Sequence, residues 1–272
     1  MAGPDRRTLS RVFNEVPELY DRVRPGYPDD LFADLVAITG LDDRSAVLEV
    51  GCGTGQATRS LAALGFPMTA LEPGAEMAEL ARQRLTGFGN VTIETSTFEE
   101  WDDRGARFDV IVAASSWHWV DPAVRWQRAH DLLKRGGWMA QLSNIVITNP
   151  TEPEVYAETA DLHERFSPGN PGWGYPPVAD DVRATYQGWG EVEGPGDLFG
   201  EAILRWYPTV QWFTGEGFAD LLRSTSLYRK MERDVREPLL DAIAERIRTR
   251  MGDRASRCYL NLLRVGQRSD ST

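Results

Sequence analysis

Between Ser45 and Leu142 the chain alternates strand signals with helix signals, and no other feature restricts the fold so strongly. Ala46-Val47-Leu48-Glu49-Val50 is a short, mostly apolar run that ends in glycines. Its length and β-branching read as a strand buried on both faces. Ala57, Leu61 and Leu64 then recur at helical spacing. Met68-Thr69-Ala70-Leu71-Glu72 reads as a second strand, followed by a helix with Ala78, Ala81 and Leu85 on one side. Val91–Glu94 and Phe108–Ala113 read as two more strands. Trp126, Ala129 and Leu133 mark a helix that Gly136-Gly137 is expected to stop, and Trp138–Leu142 is a fifth strand. Alternation of this kind over about 100 residues predicts parallel βαβ units, with right-handed crossovers laying helices on both faces. The expected class is α/β, a doubly wound and mostly parallel sheet.

The flanks read differently. Thr8 to Ile38 is expected to be helical in two pieces, broken at Arg24-Pro25-Gly26-Tyr27-Pro28, and so to form an N-terminal cap over residues 1–44. Residues 45–148 form the core unit. From Asn149 to Gly196 the pattern weakens into Pro, Gly and aromatic residues, which reads as an insertion over the sheet, residues 149–196. Strand signals return at Ala202–Tyr207 and Cys258–Val265, with helical signals at Phe218, Leu221 and Leu222 and at Leu239, Ile243 and Ile247. Residues 197–272 therefore complete the sheet, and all 272 residues make one domain.

Composition narrows the partners. At 42% hydrophobic the chain can bury a sizeable core, and its formal charge of -11 repels a phosphate backbone, so no nucleic-acid partner is expected. Two cysteines, Cys52 and Cys258, without a Cys-x-x-Cys, argue against a zinc site or a disulfide framework. The polar start, Met1 to Arg7, lacks the apolar run of a signal peptide, and no stretch approaches the roughly 20 apolar residues of a membrane span. The expectation is a cytoplasmic protein with no membrane partner and no metal, as a monomer or homodimer.

The sharpest local feature is Glu49-Val50-Gly51-Cys52-Gly53-Thr54-Gly55-Gln56, which ends the first strand and opens a helix. In doubly wound sheets ligands bind outside the carboxyl ends of the strands, where glycines let backbone approach closely. The third glycine falls one residue early for the dinucleotide fingerprint Gly-x-Gly-x-x-Gly, and no Gly-Lys-Ser/Thr follows, which disfavours nicotinamide, flavin and P-loop chemistry. Glu72, at the end of the second strand, can accept hydrogen bonds from both hydroxyls of a ribose.

These residues resemble the class I S-adenosylmethionine-dependent methyltransferases. Val47 to Gly55 is similar to that family's first motif, and Leu71-Glu72-Pro73 to its second. Phe108-Asp109-Val110-Ile111 and Leu132-Leu133-Lys134-Arg135-Gly136-Gly137 resemble the strand to the active-site wall and the turn before the fifth strand. The stretches Tyr20–Pro28 and Trp117-His118-Trp119-Val120-Asp121 look like the small-molecule branch that includes trans-aconitate methyltransferase-like enzymes. The resemblance implies a seven-stranded sheet with one antiparallel strand near its end. It implies S-adenosylmethionine as cofactor, with Gly51, Gly53 and Gly55 at the methionine part, Glu72 at the ribose, and Glu49 and Pro73 among the cofactor-binding residues. Met77, Thr97 and Phe98 would lie at the adenine, and Ala114 near the sulfonium. The family often has an Asp at the adenine amino group, where this chain reads Ser96-Thr97-Phe98-Glu99.

Methyl transfer from a sulfonium asks chiefly for orientation and exclusion of water, and needs no metal. The acceptor is expected to be a small molecule, methylated at oxygen. A hydroxyl acceptor needs a base, for which His118 is the candidate; the alternative is a histidine packed between Trp117 and Trp119. A carboxylate acceptor needs none, being anionic near neutral pH, but needs a cation such as Arg24 or Arg22. Arg24 serves equally for the cofactor carboxylate, and Tyr20 and Tyr27 for the cofactor entrance. Tyr27, Trp117, Trp173 and Tyr175 are the expected acceptor contacts, with Trp173, Tyr175 and Trp189 as the wall of a lid. Methylation at nitrogen or carbon, and a cofactor-binding protein without turnover, remain open alternatives.

Overall fold

The computed structural model describes residues 17–149, 154–169, 174–190 and 194–270. Helices α1 (Pro17–Val23) and α2 (Asp29–Thr39) precede the sheet, separated at the Arg24–Pro28 break that the prolines predict. Strands and helices then alternate: β1 (Val47–Val50), α3 (Gln56–Ala63), β2 (Met68–Leu71), α4 (Ala75–Arg84), β3 (Val91–Glu94) and β4 (Phe108–Ala114). They continue through α5 (Arg125–Leu132), β5 (Leu133–Ile147), α6 (Val155–Phe166) and α7 (Ala179–Thr185). The chain ends in β6 (Ile203–Phe213), α8 (Gly215–Arg223), α9 (Ser226–Arg229), α10 (Arg233–Arg250) and β7 (Ala255–Gln267).

The sheet has seven strands in the order β3-β2-β1-β4-β5-β7-β6. The pairs from β3 to β5 are parallel, and β7 runs antiparallel between β5 and β6. This is the doubly wound, mostly parallel seven-stranded sheet expected from the alternation and the resemblance. The chain goes one way from β1 to β3 and returns on the other side at β4, which places the topological switch, and the ligand crevice, at the carboxyl ends of β1 and β4.

Both faces are covered, and the side-chain period of two sorts the core. Val47, Val110, Val112, Ala140 and Leu142 pack with Leu31, Leu35 and Leu61 of α2 and α3 on one face. Leu48, Val50, Ile111, Ala113 and Met139 pack with Trp126, Ala129 and Leu132 on the other. A third cluster joins Val23 and α6 to Phe218, Leu221, Leu239, Ile243 and Ile247.

Two expectations differ from the structure. The helix before β5 ends at Leu132, so Gly136-Gly137 does not stop it but lies within β5. Gly136 has φ +74° and the register against β4 shifts between Phe108 and Val110, so the glycines serve an irregular strand entry. The weakly patterned 149–196 stretch holds α6 and α7, whose buried faces (Val155, Leu162; Val182) dock on neighbouring helices and on Ile147 and Leu260. Among the described residues, no helix is long and apolar enough to cross a membrane.

Candidate cofactor and acceptor site

A cavity of about 560 Å³ opens at the carboxyl ends of the parallel strands, within the size range of small-molecule sites. Its floor is the turn after β1. Gly51, Gly53 and Gly55 all have positive φ (+70°, +58° and +88°), which side chains with a Cβ rarely adopt. A Cβ on Gly51 would stand 2.6 Å from Ser116 Cβ, so this glycine lets the loop after β4 cross the turn. Ser116 Oγ donates to Val50 O and locks that crossing. Cys52 N–H donates to Leu71 O at 2.9 Å and ties the turn to β2. The Cys52 side chain is buried against Ala70 and Ala81, a small filler.

Glu72 closes the floor. Its Oε2 accepts from Gly53 N at 2.9 Å and its Oε1 from Gly74 N at 2.8 Å. Burial pushes its carboxyl above the ordinary range, and these two backbone N–H groups pull it back. Each oxygen retains acceptor capacity beyond the one bond it makes. Glu49 is fully buried behind the turn, yet lines the cavity. Thr58 is near enough to steady its charge a little, but both Glu49 oxygens and Thr58 Oγ1 stay without a hydrogen-bond partner among the described residues. Burial, and less strongly the charge of Glu72, push the Glu49 carboxyl up to about 7.

The structure brings Arg24, Tyr27, Glu49, Gly51, Gly53, Glu72, Pro73, Met77, Thr97, Phe98, Ala114 and His118 to this one cavity. Tyr27 OH shares a 2.8 Å hydrogen bond with Ser115 Oγ, and Arg24 Nη2 donates to Ser224 O at 3.0 Å. Ser115 itself has φ +54°, an uncommon conformation for serine, directly after β4. His118 lies in a short 3-10 turn, its ring 4.6 Å from that of Trp119. Asp121 Oδ1 accepts from Ala123 N at 2.9 Å and steadies the approach to α5.

Four expectations need correction. Gly55 is not a cavity residue: a Cβ there would meet Leu85 Cδ1 at 3.0 Å and Ala81, so it serves the packing of the turn on α4. Trp117 is 4% exposed and packed between Phe98 and Trp126, a core residue and not an acceptor wall. Tyr175 is 63% exposed and does not line the cavity. Trp189 is also no lid: it packs on Trp126 and Phe199 and donates its indole N–H to Gly200 O at 3.1 Å. The Tyr20 side chain and Trp173 lie outside the described residues.

Sequence reasoning missed much of the far wall: Asn144, Tyr186, Ser226, Arg257 and Tyr259. They come from β5, the segment after α7, α9 and β7, and no spacing links them. The one usable signal was the expectation that Cys258–Val265 packs back onto the sheet, since an antiparallel β7 brings its first residues to the ligand end.

Residues 47–137 match the model of a methyltransferase domain. An uncharacterized methyltransferase of Mycobacterium tuberculosis is 30% identical over 139 residues, 51% of this chain and 54% of that protein. Trans-aconitate 2-methyltransferase of the same species is 32% identical over 121 residues, 42% of this chain and 43% of that one. The chain thus spans about half the length of the curated relatives it matches. A solved structure from Anaeromyxobacter dehalogenans, provisionally assigned as a type II methyltransferase, is 25% identical with a TM-score of 0.64, over 90% of this chain and 97% of that one. Phosphoethanolamine N-methyltransferase 2 of Haemonchus contortus, solved with S-adenosyl-L-methionine, shares the fold at a TM-score of 0.50 and 15% identity, over 99% of this chain and 61% of that one. Glycine turn, acid-tipped second strand and sheet order thus accompany a similarity to methyltransferases that the domain model limits to residues 47–137 and the curated relatives to about half of the chain.

Proposed function

We propose that this chain transfers a methyl group from S-adenosylmethionine to an oxygen of a small-molecule acceptor. The observation that carries the reading is the Glu72 carboxylate bridging Gly53 and Gly74 beside the orphaned carboxylate of Glu49. The residues fit the cofactor. Glu72 keeps acceptor sites for two vicinal ribose hydroxyls. Glu49 offers a buried anion without a partner, which an ammonium group would satisfy. Arg24, at the cavity wall, would hold the cofactor carboxylate, with Met77, Thr97 and Phe98 at the adenine and Ala114 beside the sulfur. When bound, S-adenosylmethionine supplies a methyl group activated by its sulfonium.

The remaining work of the protein is positional. Holding two reactants in line contributes up to about 7–11 kcal/mol to a barrier. The rigid turn, pinned by Ser116 and Cys52, provides the fixed side of that alignment. Tyr27 and Tyr186 border the cavity on the acceptor side and limit water. His118 faces the cavity and is the group to accept a proton from a hydroxyl acceptor; a carboxylate acceptor leaves it no proton to take.

The test is transfer of labelled methyl from S-adenosylmethionine across acids and alcohols, with calorimetric titration of S-adenosylhomocysteine and NAD. Label in product, abolished in Glu72→Ala, supports the reading. Tight NAD binding without S-adenosylhomocysteine binding overturns it.

A further inference from the structure

The antiparallel strand carries a cation to the ligand end of the sheet. In the β5–β7 pairing, Val146 lies opposite Tyr259 and Ile147 opposite Cys258, so the start of β7 sits beside the carboxyl end of β5. Arg257 and Tyr259, two residues apart, share one face of β7, and both line the cavity. The Arg257 Cζ lies 5.8 Å from the centroid of the Tyr259 ring.

What surrounds this guanidinium is aromatic. Tyr156, Tyr228 and Tyr259 all feel its charge, and each is largely buried. Among the described residues the Arg257 side chain makes no hydrogen bond and no ion pair, and its Nε is buried without a partner. Glu154 acts through its charge on Tyr156 and Cys258 but forms no ion pair with Arg257. The Tyr259 phenol, which lines the same cavity, also has no hydrogen-bond partner among the described residues. In a chain with 41 acids against 30 lysines and arginines, a cation that engages none of them inside a cavity is an opening for a ligand. A planar fork with unused N–H groups, beside a phenol O–H, matches an oxyanion. Arg24 is committed to Ser224 O and, in the proposed reading, to the cofactor, which leaves the second arginine for the other reactant.

We propose that Arg257 is an acceptor-binding residue, and that it holds an oxyanion, a carboxylate or a phosphate, on the small molecule that this site methylates. The inference rests on the methyl-transfer reading and adds the charge class of the acceptor.

The experiment uses the full chain saturated with S-adenosylhomocysteine. It is titrated with C4 to C6 dicarboxylic acids, aryl carboxylic acids and inorganic phosphate, each carboxylic acid paired with its neutral amide. The expected result is at least one anion bound about tenfold or more tightly than its neutral partner, or phosphate bound alone. Arg257→Gln then removes that binding by about tenfold or more, Arg257→Lys retains part of it, and both keep wild-type affinity for S-adenosylhomocysteine. Acids alone identify a carboxylate, phosphate alone a phosphate. Amides bound as well as acids, no anion bound at all, or Arg257→Gln unchanged overturns the inference while S-adenosylhomocysteine still binds. Failure to bind S-adenosylhomocysteine instead removes the methyl-transfer reading beneath it.

Discussion

The two halves of the sheet are built by different rules. β1, β2 and β3 are four residues each, parallel, and their ligand ends are formed by backbone: glycines with positive φ, N–H groups aimed at Glu72, a serine locked on Val50 O. β5, β7 and β6 run to 15, 13 and 11 residues with one strand reversed, and their ligand end is formed by side chains from β5, α9 and β7. A surface made of backbone needs a fixed local sequence and can serve one invariant ligand. A surface made of scattered side chains can change residue by residue without disturbing the turn. In the proposed reading the first half takes the cofactor and the second a variable acceptor.

The largest expected effect strikes the backbone-built half. Gly51→Ala must hold a Cβ at φ +70° and push it into Ser116, at a combined cost of about 2–5 kcal/mol. Chemical denaturation should show that loss; a change under 1 kcal/mol would mean the turn yields easily and the contrast is overdrawn.

Next comes pH. The folded protein holds the Glu49 proton more tightly than the unfolded chain, up to about 7 against an ordinary 4.5. Stability from this group is therefore fully present below about 4.5 and is lost as pH rises through 7, by up to about 3 kcal/mol. Glu72 shifts in the same direction. Glu49→Gln should flatten the stability profile between those pH values relative to wild type. An ammonium group on the ligand favours the ionised carboxylate, so affinity for S-adenosylhomocysteine should rise from pH 6 to pH 8 in wild type and stay level in the variant. Equal slopes in both proteins would remove Glu49 from the account.

On the side-chain half, His118→Gln should slow transfer to hydroxyl acceptors by about a hundredfold and leave carboxylate acceptors within a few fold. Loss on both would make His118 a positioning residue instead. The smallest effect belongs to Tyr175→Ala, which should change stability by less than about 0.5 kcal/mol and leave ligand affinity unaltered, since the ring is 63% exposed away from the cavity. A clear fall in affinity would restore Tyr175 to a lid.

What the sequence made legible follows the same division. Glu49, Gly51, Gly53, Glu72, Pro73 and Met77 fall within a short span and carry strand context, so spacing alone brings them to one crevice. The residues themselves read β7 only as a strand, its reversal comes from the resemblance, and the pairing of Tyr259 with Val146 that places Arg257 has no local signature. Aromatic residues misled in the opposite sense. Trp117, Trp189 and Tyr175 look alike on paper, yet Trp117 fills the core beside Trp126, Trp189 packs half-buried against Trp126, and Tyr175 faces solvent. Composition registers that an aromatic ring is present; only packing decides which way it turns.

In the proposed reading Glu72, fixed by Gly53 and Gly74, grips the sugar of an S-adenosyl ligand. Calorimetry with S-adenosylhomocysteine on wild type and Glu72→Ala tests it directly. Loss of charge-assisted hydrogen bonds worth about 1.5–3 kcal/mol predicts an affinity roughly 10- to 150-fold weaker in the variant, with the fold retained. Equal affinity in the two proteins, or no heat of binding in wild type, would contradict it.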